Sequence, residues 1–474
     1  MSRAIDETHD PELRSWIESA NDPETDFPIQ NLPLGVFYDA GDDEDETDGR
    51  VGIAIGDQIL DLDACAQEGL FDELDEELYA DDEDEEESFE SDVEDPLLSL
   101  LAASGMEKWG AIRRRASELL REGNDELAGK KKLRKRCLVP MERAGYCTPG
   151  GTGDYTDFYA SVHHATNVGS MFRPDNPLLP NYRHMPIAYH GRASTLVPTG
   201  RAVRRPCGQT CEKPGETDPV YGPCRLLDYE VEVGVYMGPG NDLGHRIPIE
   251  RAEEHVMGLC LVNDWSARDL QKWEYQPLGP FLAKSFATTV SPWIVTLEAL
   301  APFRVPAFER PAGDPRPLPH LDSEQNRASG GIDLTVEAWL RTEKMRASGE
   351  AAVRLSRGSF REMYWTIGQM IAHHASNGCE LAPGDLLASG TVSGPERENR
   401  GCLLELTWDG DPWAEPARPA SGAERTPIKL PNGEERTFLQ DGDEVIIRGS
   451  CEREGYRRIG FGECSAAVEP AWDG

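Results

Sequence analysis

The alternation of apolar and polar positions is clearest in LLDYEVEVGVYMGPG (226–240). Tyr229, Val231, Val233 and Val235 share one face and Asp228, Glu230 and Glu232 the other, which predicts a strand. FPIQNLPLGVF and GRVGIAIGDQILDL carry shorter β-like runs with glycine turns and predict a small β-barrel-like unit early in the chain. PLLSLLAASGMEKWGAIRRRASELLREG has the period and the Ala/Leu/Arg content of a helix. From about Pro149 onward, β-like runs alternate with Gly/Pro/Asn turns. Only two stretches there predict helices, PIERAEEHVMGLCLVNDW and SFREMYWTIGQMIAHHASNG, the second closed by Asn-Gly. No fixed-period repeat is present. The expected class is mostly β (α+β), in two domains spanning 1–148 and 149–474.

Charge changes the picture. The 474 residues hold 48 Lys plus Arg against 86 Asp plus Glu, a formal net charge of −38. Such a surface repels phosphate backbones and anionic membranes, so neither nucleic acid nor membrane is an expected partner. With 38% hydrophobic residues and 10 Trp, 13 Tyr and 13 Phe, the chain is expected to pack rather than stay disordered. The run Leu74–Pro96 is low-complexity and mostly acid, and reads as a solvated insert. Acid is also spread along the rest of the chain, which we read as the solvated surface of a salt-loving cytoplasm. An ordinary acidic protein inflated by one insert is the alternative. GKKKLRKRCLVP is the one basic cluster and reads as a linker or surface strand that offsets acid locally. The first residues are polar, and no run approaches the ~18 apolar residues that cross a bilayer. The 11 cysteines form no C-x-x-C pair, and Cys207 and Cys211 have no second pair to complete a zinc site. Reduced thiols in a cytoplasm are expected.

Candidate chemistry begins with Glu230 and Glu232. At i and i+2 of a strand they point the same way, roughly 7 Å apart at about 3.3 Å rise per residue. An exposed strand face would look the same. Asp264 in LVNDWSARD and Asp157 in DYTDFYASVHHATNVG add carboxylates on separate elements. If the four converge, they form an all-oxygen site suited to Mg²⁺ or Ca²⁺ rather than zinc. Taken alone, His164 reads as a hydrogen-bonded strand-end histidine, Lys284 as a surface charge, and Arg268 as a partner for Asp269. His373 and His374 sit on two sides of a helical stripe and read as structural.

DYTDFYASVHHATNVGSMFRP, MPIAYHGRAS, LLDYEVE, VNDWSARDLQKWEYQPLGPFLAKSFATTVSPW, LASGTVSGPERENRGCLLEL and DGDEVIIRG together resemble the fumarylacetoacetate hydrolase family. The resemblance runs from FPIQNLPLGVF nearly to the end and fits the long, two-domain hydrolases rather than the shorter decarboxylases and hydratases. It implies an N-terminal SH3-like β-barrel, a C-terminal mixed β-roll domain and a homodimer. It makes Asp157, Glu230, Glu232 and Asp264 the metal ligands, with Lys284 and Thr288 beside the ion. His164 becomes the catalytic base, oriented by Glu405. Lys284, Gln271 and Arg268 become donors to developing negative charge. Tyr159, Arg173, Gln271, Tyr275 and Thr391 fall at substrate-holding positions, with Tyr189 beside them. Departures are confined to loop lengths, as between Arg173 and NYRHMP.

The implied substrate is a diketo dicarboxylic acid whose C–C bond is cleaved by water to give fumarate and acetoacetate, completing tyrosine and phenylalanine breakdown. A decarboxylase or hydratase of a small 2-oxo acid is the alternative enzyme; it needs the carboxylates but not the His164–Glu405 pair. A metal-binding structural protein is a third reading, and it has no use for a base, an orienting acid and a lysine together.

Overall fold

The computed structural model describes residues 4–40, 49–71, 96–149, 151–211, 217–413 and 424–472. The acidic insert expected at 74–96 therefore lies outside the described residues except for Pro96, which begins a helix.

One large sheet carries the molecule. In chain order its main path uses β1 (Leu34–Asp39), β2 (Arg50–Ile55), β3 (Gln58–Asp61), β4 (Leu138–Pro140), β5 (Tyr155–Phe158), β6 (Ala188–His190), β7 (Val231–Met237), β8 (Val256–Asp264), β9 (Trp293–Thr296) and β10 (Leu386–Ala388). Side by side they run β4-β3-β2-β1-β9-β8-β7-β10-β5-β6. Every neighbour pair is antiparallel except β10 with β5. The early strands β1–β3 are thus continuous with the later ones, through Leu34 opposite Ile294.

A second sheet, Val353–Ser359, Thr335–Arg341, Glu444–Cys451, Ile459–Glu469 and Val203–Arg204 in that order, covers one face of β7 and β8. The approach is close: a Cβ on Gly449 would sit 2.8 Å from Leu261. Val231, Val233 and Val235 of β7 join Val336, Leu340, Val445 and Phe461 in that core. On the opposite face Tyr236, Cys260 and Val262 pack with Ile53, Leu60 and Trp109.

Of the helices among the described residues, seven bear on the site and its support: α1 (Pro96–Ser104), α2 (Met106–Leu120), α3 (Lys131–Cys137), α4 (Val162–Phe172), α5 (Arg268–Glu274), α6 (Ile367–His374) and α7 (Leu403–Leu406). The single helix expected over 96–123 divides into α1 and α2 at Gly105, whose φ of 85° requires glycine. Trp109, Ile112, Ala116 and Leu119 then form the buried stripe of α2.

Three expectations are overturned. VMGLCLVND is the strand β8, not a helix; only a 3-10 turn at Ala252–His255 precedes it. Its apolar run shows no alternation because both sheet faces are covered, and a doubly buried strand then reads like a buried helix. GKKKLRKRCLVP is mostly the helix α3, anchored by buried Cys137, with a strand only at Leu138–Pro140. The strand expected to end at His164 stops at Phe158, and α4 starts at Val162. The Ser161 hydroxyl caps α4 by accepting the His164 amide at 3.2 Å. Helix α6 begins only at Ile367, where Thr366 and Gln369 form a capping box.

Candidate active site

Strand β7 and the residue before it supply Glu232 and Glu230, and neither faces solvent: they are 0% and 5% exposed. Antiparallel pairing with β8 brings Asp264 alongside, its amide donating to the Glu230 carbonyl at 3.2 Å. Parallel pairing of β5 with β10 carries Asp157 in from the far side. Asp157, Glu232 and Asp264 place one oxygen each within 4.8 Å of one another, all buried. Burial and the neighbouring Asp264 hold the Asp157 carboxyl well above the ordinary range. Burial, then Asp157 and Asp264, do the same to Glu232. Asp157 Oδ1 and both Glu232 oxygens have no hydrogen-bond partner. Three crowded carboxylates, two of them with unpartnered oxygens, fit a hard divalent cation, which takes oxygen ligands and offsets their repulsion.

Glu230 stands just outside this trio. Its Oε1 lies 2.7 Å from Arg268 Nη2, and Oε2 accepts from Lys284. Burial raises the Glu230 carboxyl, but Lys284, Arg268 and His164 outweigh it and the net shift is downward. Lys284 Nζ also donates to Asp264 Oδ2 at 2.6 Å. Burial disfavours its charge, and Asp264 and Glu230 more than restore it. An ammonium has no lone pair, so Lys284 here is a counter-charge to the carboxylates rather than a ligand. Thr288 Oγ1 donates to Asp264 Oδ1 at 3.2 Å. Arg268 pairs with Asp228 and Glu230, and the expected Asp269 instead accepts from the Arg225 amide.

On the opposite wall, α4 presents His164. Its Nδ1 is 2.5 Å from Glu405 Oε2, and its Nε2 faces Glu230 Oε1 at 3.7 Å. Glu405, fully buried on α7, also accepts from Asn167 Nδ2 at 2.8 Å, Ser393 Oγ at 2.9 Å and Cys402 Sγ at 3.2 Å. Burial pushes Glu405 up, but His164, Asn167 and Cys402 bring it down to about 2. An ionised Glu405 only accepts, so an Nδ1 proton belongs to this bond and Nε2 points at the cavity.

The cavity itself encloses about 550 Å³ and is lined by Asp157, Tyr159, His164, Arg173, Tyr189, Glu230, Glu232, Arg268, Gln271, Tyr275, Lys284 and Thr391 among others. Of the expected site residues, only Glu405, Asp264 and Thr288 do not line it: Glu405 stands behind His164, Asp264 behind Tyr189, and Thr288 behind Asp264. Tyr159 meets the His164 ring edge-on at 5.2 Å. Arg173 caps the end of α4, and Gln271 and Tyr275 lie along α5 and its C-cap. Tyr189 Oη donates to Asp264 Oδ2 at 2.8 Å, which puts it against the carboxylates. His163 turns the other way, its ring 4.8 Å from Trp413 and Nε2 3.5 Å from Glu362. His374 contacts Thr156 Oγ1 at 2.9 Å and does not line the cavity.

Asn167, Ser393, Cys402 and Asp228 were missed by sequence reasoning. For Asn167 a signal existed: it stands three residues after His164, one helical turn on. The other three converge only through the fold.

Residues 154–469 match the family described as fumarylacetoacetate (FAA) hydrolase C-terminal, and residues 30–149 match fumarylacetoacetase N-terminal. The chain belongs to the fumarylacetoacetate hydrolase family, in its full-length two-domain form. It is 46% identical over 460 residues to the fumarylacetoacetase of Homo sapiens, covering 96% of this chain and 99% of that protein. Identity is 45% over 460 residues to that of Bos taurus, with the same two coverages. It is 42% over 463 residues to that of Arabidopsis thaliana, covering 97% of this chain and 99% of that protein.

Proposed function

We propose that the chain hydrolyses fumarylacetoacetate to fumarate and acetoacetate, the last step of tyrosine and phenylalanine degradation. The observation that carries this reading is the buried His164–Glu405 pair facing the carboxylate cluster across one cavity. Asp157, Glu232 and Asp264 would hold Mg²⁺ or Ca²⁺, with Glu230 beside them. Bound there, the ion would polarise the diketone and stabilise the enolate that departs.

The protein's own groups do the rest. His164 Nε2 takes a proton from water as its oxygen adds to the carbonyl conjugated with the alkene. Glu405 holds the imidazole in its tautomer and offsets the charge it gains. The C–C bond to the methylene carbon then breaks, its electron pair goes to that carbon as an enolate, and the imidazolium returns a proton there. Arg268 and Lys284 keep the surrounding carboxylates neutralised and, with Gln271, donate toward oxygens that gain charge. Arg173 suits a terminal carboxylate because its planar fork bonds both oxygens. Tyr159, Tyr275, Tyr189 and Thr391 add hydroxyl donors along the walls.

The same reading takes 1–148 as an SH3-like barrel domain and 149–474 as a catalytic β-roll, in a cytoplasmic homodimer. Supporting it, Leu278 and Phe281 beside the cavity mouth are 96% and 68% exposed, and all eleven cysteines are free thiols. Among the described residues no helix is long and apolar enough to cross a membrane.

The test is spectrophotometric consumption of fumarylacetoacetate with product identification. Activity should vanish on exhaustive chelation and return with Mg²⁺ or Ca²⁺. Activity untouched by chelation would remove the ion from the reading, and release of CO₂ without fumarate would favour a decarboxylase.

A further inference from the structure

We propose that Asp228 is a positioning residue for this reaction, one buried carboxylate that fixes both the helix carrying Glu405 and the guanidinium of Arg268. The inference rests on the hydrolase reading above.

Asp228 is 0% exposed and does not line the cavity. Its Oδ1 accepts from the Tyr229 amide at 2.9 Å and the Leu403 amide at 2.8 Å. Its Oδ2 accepts from the Leu404 amide at 2.9 Å and from Arg268 Nε at 3.0 Å, with Arg268 Nη2 at 2.9 Å. Leu403 and Leu404 are the first two residues of α7, so their amides have no partner within the helix. Cys402 stands at the N-cap and makes no side-chain cap bond. Asp228, from another strand, does the capping.

The consequence lies in what each tie leads to. Leu404 is followed by Glu405, whose Oε2 holds His164 Nδ1 at 2.5 Å. Arg268 Nη2 continues to Glu230 Oε1 at 2.7 Å, and that oxygen lies 3.7 Å from His164 Nε2. Asp228, Arg268, Glu230, His164, Glu405 and the start of α7 therefore close into a ring. Both nitrogens of the proposed base are located relative to one side chain that touches neither. Displacing α7 or the guanidinium by an ångström would misplace the base against the substrate carbonyl.

A buried ion pair with no catalytic consequence would also be destabilised by removal of one partner. The two roles separate in the kinetics of the folded protein. Asp228→Asn keeps the shape, removes the charge facing Arg268 and turns an amide donor toward at least one present donor. In the full chain with Mg²⁺, kcat on fumarylacetoacetate should fall by roughly 10²-fold. KM should change by less than about threefold, because Asp228 itself makes no substrate contact and Arg268 donates to oxygens only as they gain charge. The double variant Asp228→Asn, Glu405→Gln should be scarcely slower than Glu405→Gln alone, because both act through His164. A folded Asp228→Asn protein with parental kcat overturns the proposal, and so do losses that multiply in the double variant. Should Asp228→Asn fail to fold by circular dichroism, Leu404→Pro tests the tie from its other end. Proline is tolerated in a first helical turn and removes this donor together with the buried Leu404 side chain, so Leu404→Ala, which keeps the amide, is measured beside it as the control. Lowered kcat at unchanged KM supports the proposal, and parental kcat overturns it. A parent protein inert toward fumarylacetoacetate would instead sink the hydrolase reading, and that arm is measured first.

Discussion

His163 and His164 are chain neighbours on the same first turn of α4, and their surroundings separate them. His164 has an ionised carboxylate behind it and the cavity in front; His163 is packed against Trp413 with Glu362 at its edge. His164→Ala should lower kcat by roughly 10²–10⁴-fold, the usual reach of a positioned base, while the protein still binds a divalent ion. His163→Ala should stay within a few-fold of the parent. Equal losses in steady-state assays would mean the wrong histidine is assigned. Glu405 makes a pH prediction. Its carboxyl lies at about 2 in the fold against an ordinary 4.5, so the folded state prefers it ionised. That stability is complete above about pH 4.5 and is lost as pH falls toward 2, on the order of 3 kcal/mol in all. Acid denaturation of Glu405→Gln should lack this component, and identical profiles for the two proteins would contradict it. Legibility at this scale was uneven. Glu230 and Glu232 were visible from alternation, whereas Ser393 and Cys402 are ordinary polar residues until the chain closes around Glu405.

At the scale of elements, β8 shows where the sequence misleads. Val256–Asp264 carries no polar alternation because β7 and β9 flank it and cores lie on both faces. Gly258 within it marks a close approach: a Cβ would lie 2.5 Å from the Val295 carbonyl and 2.6 Å from Ile294. Gly258→Ala should therefore destabilise by about 1–3 kcal/mol through overpacking. A chemical-denaturation midpoint equal to the parent's would show that β9 yields without cost. The strand-to-helix switch at Ala160–Ser161 is the complementary case. Ser161 is an N-cap residue by type, yet the dense aromatic alternation before it extends the β reading past the true boundary. That boundary sets two sides of the cavity: Asp157 stands on the strand and His164 on the helix that follows it.

For the whole molecule, surface charge and site chemistry are separate matters. Fourteen of the 86 acidic residues fall in Leu74–Pro96, and the remaining chain still carries −24. Self-repulsion of that size is screened by salt, so the thermal midpoint should rise from dilute buffer to molar KCl. It should do so equally in a chain lacking residues 74–96; a midpoint independent of salt would argue against a salt-adapted surface. The sequence by itself determined the family, the β-rich class, the residue types of the site and the bias toward oxygen ligands, because these follow from local pattern and from long matching blocks. Only the tertiary structure decided which carboxylates meet. Antiparallel register set Asp264 beside Glu230, parallel pairing of β5 with β10 brought in Asp157, and Lys284 came to bridge Glu230 and Asp264. Convergence is a property of strand register and packing across hundreds of residues, and no local periodicity encodes it.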